Sequence, residues 1–131
     1  MTNPFEDQKR FMEACDQSVA EENIEQYRLY LSLINEETRE LVDAIKANNK
    51  VEQLDALIDI IVVTVGAIHS MGADAEGAWT EVMSTNFAKI DNKTGKVNKR
   101  DDGKILKPND WKGPELEQFL LEVKNDDNDN E

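Results

Sequence analysis

The stretch VEQLDALIDIIVVTVGAIHSM, residues 51–71, decides how the rest of the chain must be arranged. Leu54, Leu57, Ile58, Ile60, Ile61, Val62, Val63, Val65, Ala67 and Ile68 make it apolar on almost every face. Such a run forms either a buried strand or a buried helix, and a length of about 20 residues exceeds the ~5 to 6 typical of strands. A central core helix is therefore expected over Val51–Met71. The same run is no transmembrane helix: its longest apolar part, Ala56–Ile68, is interrupted by Asp59 and is shorter than the ~20 residues that span a bilayer.

Working outward, Ile24, Tyr27, Leu31, Ile34, Thr38, Leu41 and Ile45 recur at steps of three and four, which predicts a long helix from Glu22 to Asn48 with that stripe on the core. Asn48-Asn49 ends it. Phe5, Phe11, Met12 and Cys15 predict a first helix within residues 5–17, which hold no Gly or Pro. On the other side, Met71-Gly72 is a natural stop, and Ala73-Asp74 begins a fourth helix to about Ala88, with Ala78, Val82 and Phe87 among its apolar positions. After Lys89, helical reading stops: Gly95, Gly103 and Pro108 interrupt a charged segment that suits a loop with a short hairpin. A short terminal helix is expected over Pro114–Val123, and the Asp/Asn run from Asn125 to Glu131 is expected to be disordered. The expectation is one all-α domain over residues 1–124, four helices joined by short loops, without internal repeats.

The chain has 131 residues, with 15 Lys and Arg against 28 Asp and Glu, a net charge of −13. That balance argues against a surface that tracks nucleic acid or an anionic membrane. The charge is uneven: Lys89–Lys112 holds eight basic and four acidic residues, so this segment is net +4 and the remainder −17. The N-terminus lacks a basic region followed by an apolar run, which makes cytoplasmic location the expectation. Cys15 stands alone, so there is no internal disulfide, cysteine zinc site or redox pair, and it reads as a semi-buried helical cysteine.

Two acidic pairs carry the chemistry. Glu36-Glu37-x-x-Glu40 alone is a weak signal, because Glu21-Glu22-x-x-Glu25 repeats the pattern in the same chain. The latter has a simple explanation, since acids suit a helix N-terminus. Glu36 to Glu40 lie mid-helix, where like charges one turn apart repel, so something else must tolerate them. With Ile34 centred on the core stripe, a 100° step per residue puts Glu37 at the core border, Glu40 beside it and Glu36 furthest out. The second pair is Asp55-x-x-x-Asp59, with Glu52 one turn earlier. Asp59 sits within ALIDIIVV, where an unpartnered ionised carboxylate would cost several kcal/mol. A salt bridge from Arg28 or Arg39 is the plain solution. Two adjacent antiparallel helices would, however, bring four or five carboxylates together, and the hard oxygen ligands then suit Mg²⁺ or Mn²⁺. The metal reading outweighs the salt-bridge network because no basic run lies on those helices. An EF-hand reading of Asp91–Gly95 fails, since Lys93 occupies a ligand position. The basic loop with Lys99-Arg100 and Lys104-x-x-Lys107 suits either a polyphosphate or plain solvent. His69 reads as a structural or surface histidine.

With these pieces assembled, the sequence resembles the MazG-like all-α nucleoside triphosphate pyrophosphohydrolases. The resemblance spans about Arg28 to Pro114 and rests on Leu33–Leu41 (LINEETREL), Leu57–Gly66 (LIDIIVVTVG), Ser84–Lys89 (STNFAK) and Asp102–Pro108 (DGKILKP), the last similar to phage and bacterial members. The family pattern of Glu-Glu-x-x-Glu followed by Glu-x-x-Asp departs here: with Asp59 as the final Asp, the expected Glu falls on Ala56, and Asp55 takes the role. Glu52-x-x-Asp55 fits the spacing literally and is the lesser alternative.

The resemblance implies Mg²⁺-dependent hydrolysis of a (deoxy)nucleoside triphosphate, dGTP among the candidates, to monophosphate and pyrophosphate, serving nucleotide-pool control. It implies metal ligation by Glu37, Glu40, Asp55 and Asp59, and a water oriented by Glu36 or Glu37. It also implies nucleotide contacts from Asn86 and Lys89 and phosphate contacts from Lys104 and Lys107. Trp79 either stacks on a base or packs in the core. The family assembles from several chains, and a core helix apolar all round needs more cover than one chain offers, so a homodimer or homotetramer is expected. The competing class is a non-enzymatic helical interaction module with salt-bridged acids.

Overall fold

Each of the first three helices begins where an asparagine side chain can accept the backbone N–H groups that a helix start leaves unpaired. In the computed structural model, which describes residues 3–121, α1 runs Pro4–Ala14, α2 Ile24–Lys46, α3 Lys50–Ser70 and α4 Ala75–Phe87. Asn3 accepts from Glu6 N at 2.9 Å, Asn23 from Gln26 N at 3.1 Å and Asn49 from Glu52 N at 3.1 Å. Pro4 occupies the first turn, where a missing N–H costs nothing. Asn48-Asn49 does two jobs: Asn48 turns left-handed (φ +51°) to close α2, and Asn49 caps α3. Gly72 (φ +76°) turns the chain after α3, with Glu22 N only 2.9 Å from where a Cβ would stand. Beyond α4, β1 (Ile90–Asp91) pairs antiparallel with β2 (Lys96–Val97), and a 3₁₀ turn covers Glu117–Phe119. No helix among the described residues is long and apolar enough to cross a membrane.

The chain forms two compact units, one of residues up to 75 with the returning segment from Leu120, the other of residues 76–119. In the first, α2 and α3 form an antiparallel hairpin: Tyr30 meets Gly66 near one end, and the Gln53 amide reaches Ala44 O near the other. Gly66 is required there, since a Cβ would stand 2.3 Å from the Tyr30 ring. Met12 of α1, Tyr30 and Ala67 form the buried cluster, flanked by Val19, Tyr27, Leu33, Ile34 and Val63. The Tyr30 hydroxyl pairs with Gln17, and Gln26 ties the α1–α2 loop to α3 through Ser18 O and Ser70 Oγ, both at 2.8 Å. Leu121 N donates to Gly72 O at 2.7 Å, returning the chain to this unit.

In the second unit, Asp102-Gly103 forms a hairpin tip. Gly103 (φ +90°) lets Arg100 N reach Lys104 O at 2.7 Å, and the Arg100 guanidinium pairs with Asp102. The Trp111 indole N–H donates to Thr85 O of α4 at 2.7 Å.

On α3, Val51, Leu54, Leu57, Ile58 and Ile61 are exposed, so the apolar surface of the hairpin exceeds what this chain covers, as a helix apolar all round leads one to expect. Three expectations need correction. The core stripe of α2 is rotated: Tyr30 and Ala44 are buried and Glu37 and Leu41 partly so, whereas Ile24, Leu31, Thr38 and Ile45 are exposed. Cys15 is exposed because α1 ends one residue before it. The helix expected over 114–123 reduces, within the described residues, to one 3₁₀ turn following Gly113-Pro114. The tail expectation at 125–131 lies outside the described residues.

Candidate metal centre and active site

The rotation of α2 puts Glu37 on the face that meets α3, rather than at its margin. Glu40 lies one turn further along α2, and Asp59 faces them from the middle of α3. One carboxylate oxygen from each of Glu37, Glu40 and Asp59 lies within 4.8 Å of the others. Burial explains the electrostatics first. The Glu37 carboxyl is pushed up to about 7 by desolvation, then by its hydrogen bond with Glu40 and by the charges of Glu40, Asp59 and Asp55. Asp59 is raised for the same reasons, burial first and then Asp55 and Glu40. Most telling is Glu37 Oε2, which is buried and has no hydrogen-bond partner. Buried carboxylate oxygens are normally satisfied, and an orphan among other acids asks for a cation.

No described residue supplies one. Among the described residues, none of Glu37, Glu40, Asp55 or Asp59 pairs with a lysine or arginine, and neither Arg28 nor Arg39 reaches them. Three clustered carboxylates with a vacant lone pair fit a hard divalent cation held by oxygen ligands. Asp55, one turn before Asp59 and exposed, acts on both Glu37 and Asp59 through its charge. Glu52 contributes to neither and sits in the first turn of α3, beside its cap. Glu36 is exposed, as its angular position predicts.

The residues expected to contact nucleotide lie in the second unit. Asn86, in the last turn of α4, accepts from Lys89 Nζ at 3.1 Å. Lys89 and Lys107 line a common cavity of about 630 Å³, whereas Lys104 lies in the Asp102-Gly103 hairpin and does not line it. Trp79 is 58% exposed, which removes its core role within this chain. His69 is structural: it is buried, and its Nε2 lies 2.9 Å from Phe5 O, tying α1 to the end of α3. Trp111 joins these residues in the second unit. Lys89 and Lys107 lie over its ring at 5.0 and 4.7 Å from the centroid, a contact between residues up to 22 positions apart that no local pattern announces.

Comparison with known proteins agrees with this geometry. An uncharacterized protein of Acanthamoeba polyphaga mimivirus is 35% identical over 74 residues, which cover 55% of this chain and 30% of the relative. The chain thus spans under a third of that relative's length. The sequence model of the phosphoribosyl-ATP pyrophosphohydrolase family matches residues 7–86, which include α2, α3 and all four acids. With more than half its length matched and its acids gathered on the α2–α3 hairpin, the chain belongs to the phosphoribosyl-ATP pyrophosphohydrolase family, within the all-α MazG-like superfamily.

Proposed function

We propose that the protein hydrolyses a (deoxy)nucleoside triphosphate to the monophosphate and pyrophosphate with Mg²⁺, or with Mn²⁺ in its place, and so adjusts a cytoplasmic nucleotide pool, that of a host cell if the chain is phage-encoded. The observation that carries this reading is the partnerless, buried Glu37 Oε2 within an acid cluster that pairs with no lysine or arginine among the described residues. Family membership supports cleavage of a nucleotide phosphoanhydride. Glu37, Glu40, Asp55 and Asp59 would hold the metal. When bound, it would neutralise charge on the phosphates and lower the pKa of a coordinated water.

The chain's own residues supply the rest. Water attacks the α-phosphorus, the bond to the bridging oxygen breaks, and pyrophosphate leaves. Glu36 or Glu37 orients that water and takes its proton. Asn86 and Lys89 contact the nucleotide and Lys104 and Lys107 the phosphates, where fixed positive charge stabilises the developing negative charge. Trp79, more than half exposed, stacks on a base. The exposed apolar faces of α2 and α3 fit a homodimer or homotetramer. A light-scattering mass of one 14.9 kDa chain would contradict that assembly.

Product analysis tests the reading. The protein is incubated with Mg²⁺ and each ribo- and deoxynucleoside triphosphate separately, dGTP included, and with phosphoribosyl-ATP, the substrate in the family's name. Monophosphate plus pyrophosphate from one or two triphosphates is expected. Turnover of phosphoribosyl-ATP alone would move the substrate, and no turnover at all would favour the interaction module.

A further inference from the structure

The cavity of the second unit is lined by two lysines, neither of which forms an ion pair among the described residues. Lys89 and Lys107 both line it, together with Asn92, Asn98, Asp91 and Asp110. Both ammonium groups are instead placed by one ring, at 5.0 and 4.7 Å from the Trp111 centroid, so they lie within about 10 Å of each other. The ring is itself fixed, since its N–H donates to Thr85 O at 2.7 Å and Trp111 is partly buried. Lys89 has a second restraint in Asn86 Oδ1 at 3.1 Å.

Holding two long, like-charged side chains on one indole costs rotamer entropy and Coulomb repulsion, and an extended anion repays both. A cavity of about 630 Å³ has the size of a small-molecule site. We infer that Trp111 is a positioning residue that sets Lys89 and Lys107 as a two-pronged clamp for a phosphoanhydride chain, whose charge is spread over several ångströms. Lys104, outside the cavity, is not a prong. The chain comes either from free pyrophosphate or from a nucleotide. The clamp stands on its own geometry and rests on the proposed function only for which of these it meets in turnover.

The experiment uses the full-length protein in EDTA, so that no metal takes part, and titrates pyrophosphate, orthophosphate and an α,β-methylene nucleoside triphosphate by calorimetry. The Trp111 emission is followed in a Trp79→Phe background. Pyrophosphate is expected to bind at least tenfold tighter than orthophosphate and to change the Trp111 emission. Trp111→Leu should weaken pyrophosphate about tenfold, while Trp111→Phe, which keeps a π face, should restore most of it. Lys89→Met and Lys107→Met test the prongs with the ring intact, so the result does not depend on Trp111→Leu folding. Binding of pyrophosphate alone would identify the free anion as the ligand, and binding of the nucleotide analogue alone would identify the substrate's chain. Binding of neither, equal binding of orthophosphate, or full affinity in a folded Trp111→Leu variant would overturn the inference. The clamp is read as binding in EDTA and hydrolysis as turnover with Mg²⁺, so failed hydrolysis and a failed clamp give different results.

Discussion

Replacing Asp59 by Asn should make the metal-free protein more stable, the reverse of what removing a buried, paired carboxylate does. Its side-chain oxygen lies within 4.8 Å of oxygens of Glu37 and Glu40. Coulomb's law at an effective dielectric near 20 gives roughly 3 kcal/mol for each such pair. Glu40 is exposed, and solvent screening reduces each repulsion to about 0.5–1 kcal/mol. Two relieved repulsions therefore stabilise the fold by about 1–2 kcal/mol, or a rise in melting temperature of roughly 4–8 °C for a domain of this size. The assay is thermal unfolding at pH 8 in EDTA, where Glu37 is ionised. Adding ~10 mM Mg²⁺ should then raise the parent's melting temperature and leave the variant's unchanged, because binding to the folded state alone stabilises it by mass action. An unchanged melting temperature in EDTA would mean that the acids do not repel. A loss of ~3–5 kcal/mol would mean that Asp59 is held by a cationic side chain, which would refute the metal-site reasoning.

The remaining predictions concern pH, the fourth ligand and the helix contact. Glu37 is raised from 4.5 to about 7 in the fold, so the native state binds its proton more tightly than the unfolded chain does. Its contribution to metal-free stability is therefore complete below pH 4.5 and is lost as pH rises through about 7, measurable as a falling urea midpoint across that window. Metal must displace the same proton, so apparent Mn²⁺ affinity should fall about tenfold between pH 8 and pH 6, and a flat profile would contradict this ligand. Asp55→Asn should weaken Mn²⁺ binding, whereas Glu52→Gln should leave it unchanged. The reverse result would restore the literal Glu52-x-x-Asp55 spacing. Gly66→Ala would force a Cβ to within 2.3 Å of the buried Tyr30 ring, and overpacking of this kind costs about 1–3 kcal/mol in chemical denaturation.

The central helix was legible because thirteen of the twenty-one residues from Val51 to Met71 are apolar, a run too long for a strand, and α3 occupies Lys50–Ser70. The asparagine pair at 48–49 was legible as a stop, and its second role as a cap follows from the same side-chain chemistry. The face of α2 was not. Apolar residues lie on two sides of that helix, and periodicity cannot tell the side that meets α3 from the side left exposed at Ile24, Leu31 and Ile45. That ambiguity made Glu37 a border residue in the sequence and an inner one in the structure. The acid cluster itself was readable from spacing, since residues one turn apart on neighbouring antiparallel helices must meet. Trp111 was not, because its carbonyl partner Thr85 and its lysine Lys89 come from around the end of α4, 26 and 22 positions before it, which no local pattern joins to it.

If the acid cluster serves attack of water on the α-phosphorus of a nucleotide, the oxygen of that water must end in the monophosphate. Turnover of the best triphosphate in ¹⁸O-labelled water with Mg²⁺, followed by mass spectrometry of the separated products, locates it. One ¹⁸O is expected in the nucleoside monophosphate and none in pyrophosphate. Label in pyrophosphate would place attack on the β-phosphorus, and label in orthophosphate would mean loss of the terminal phosphate. Either would contradict attack on the α-phosphorus.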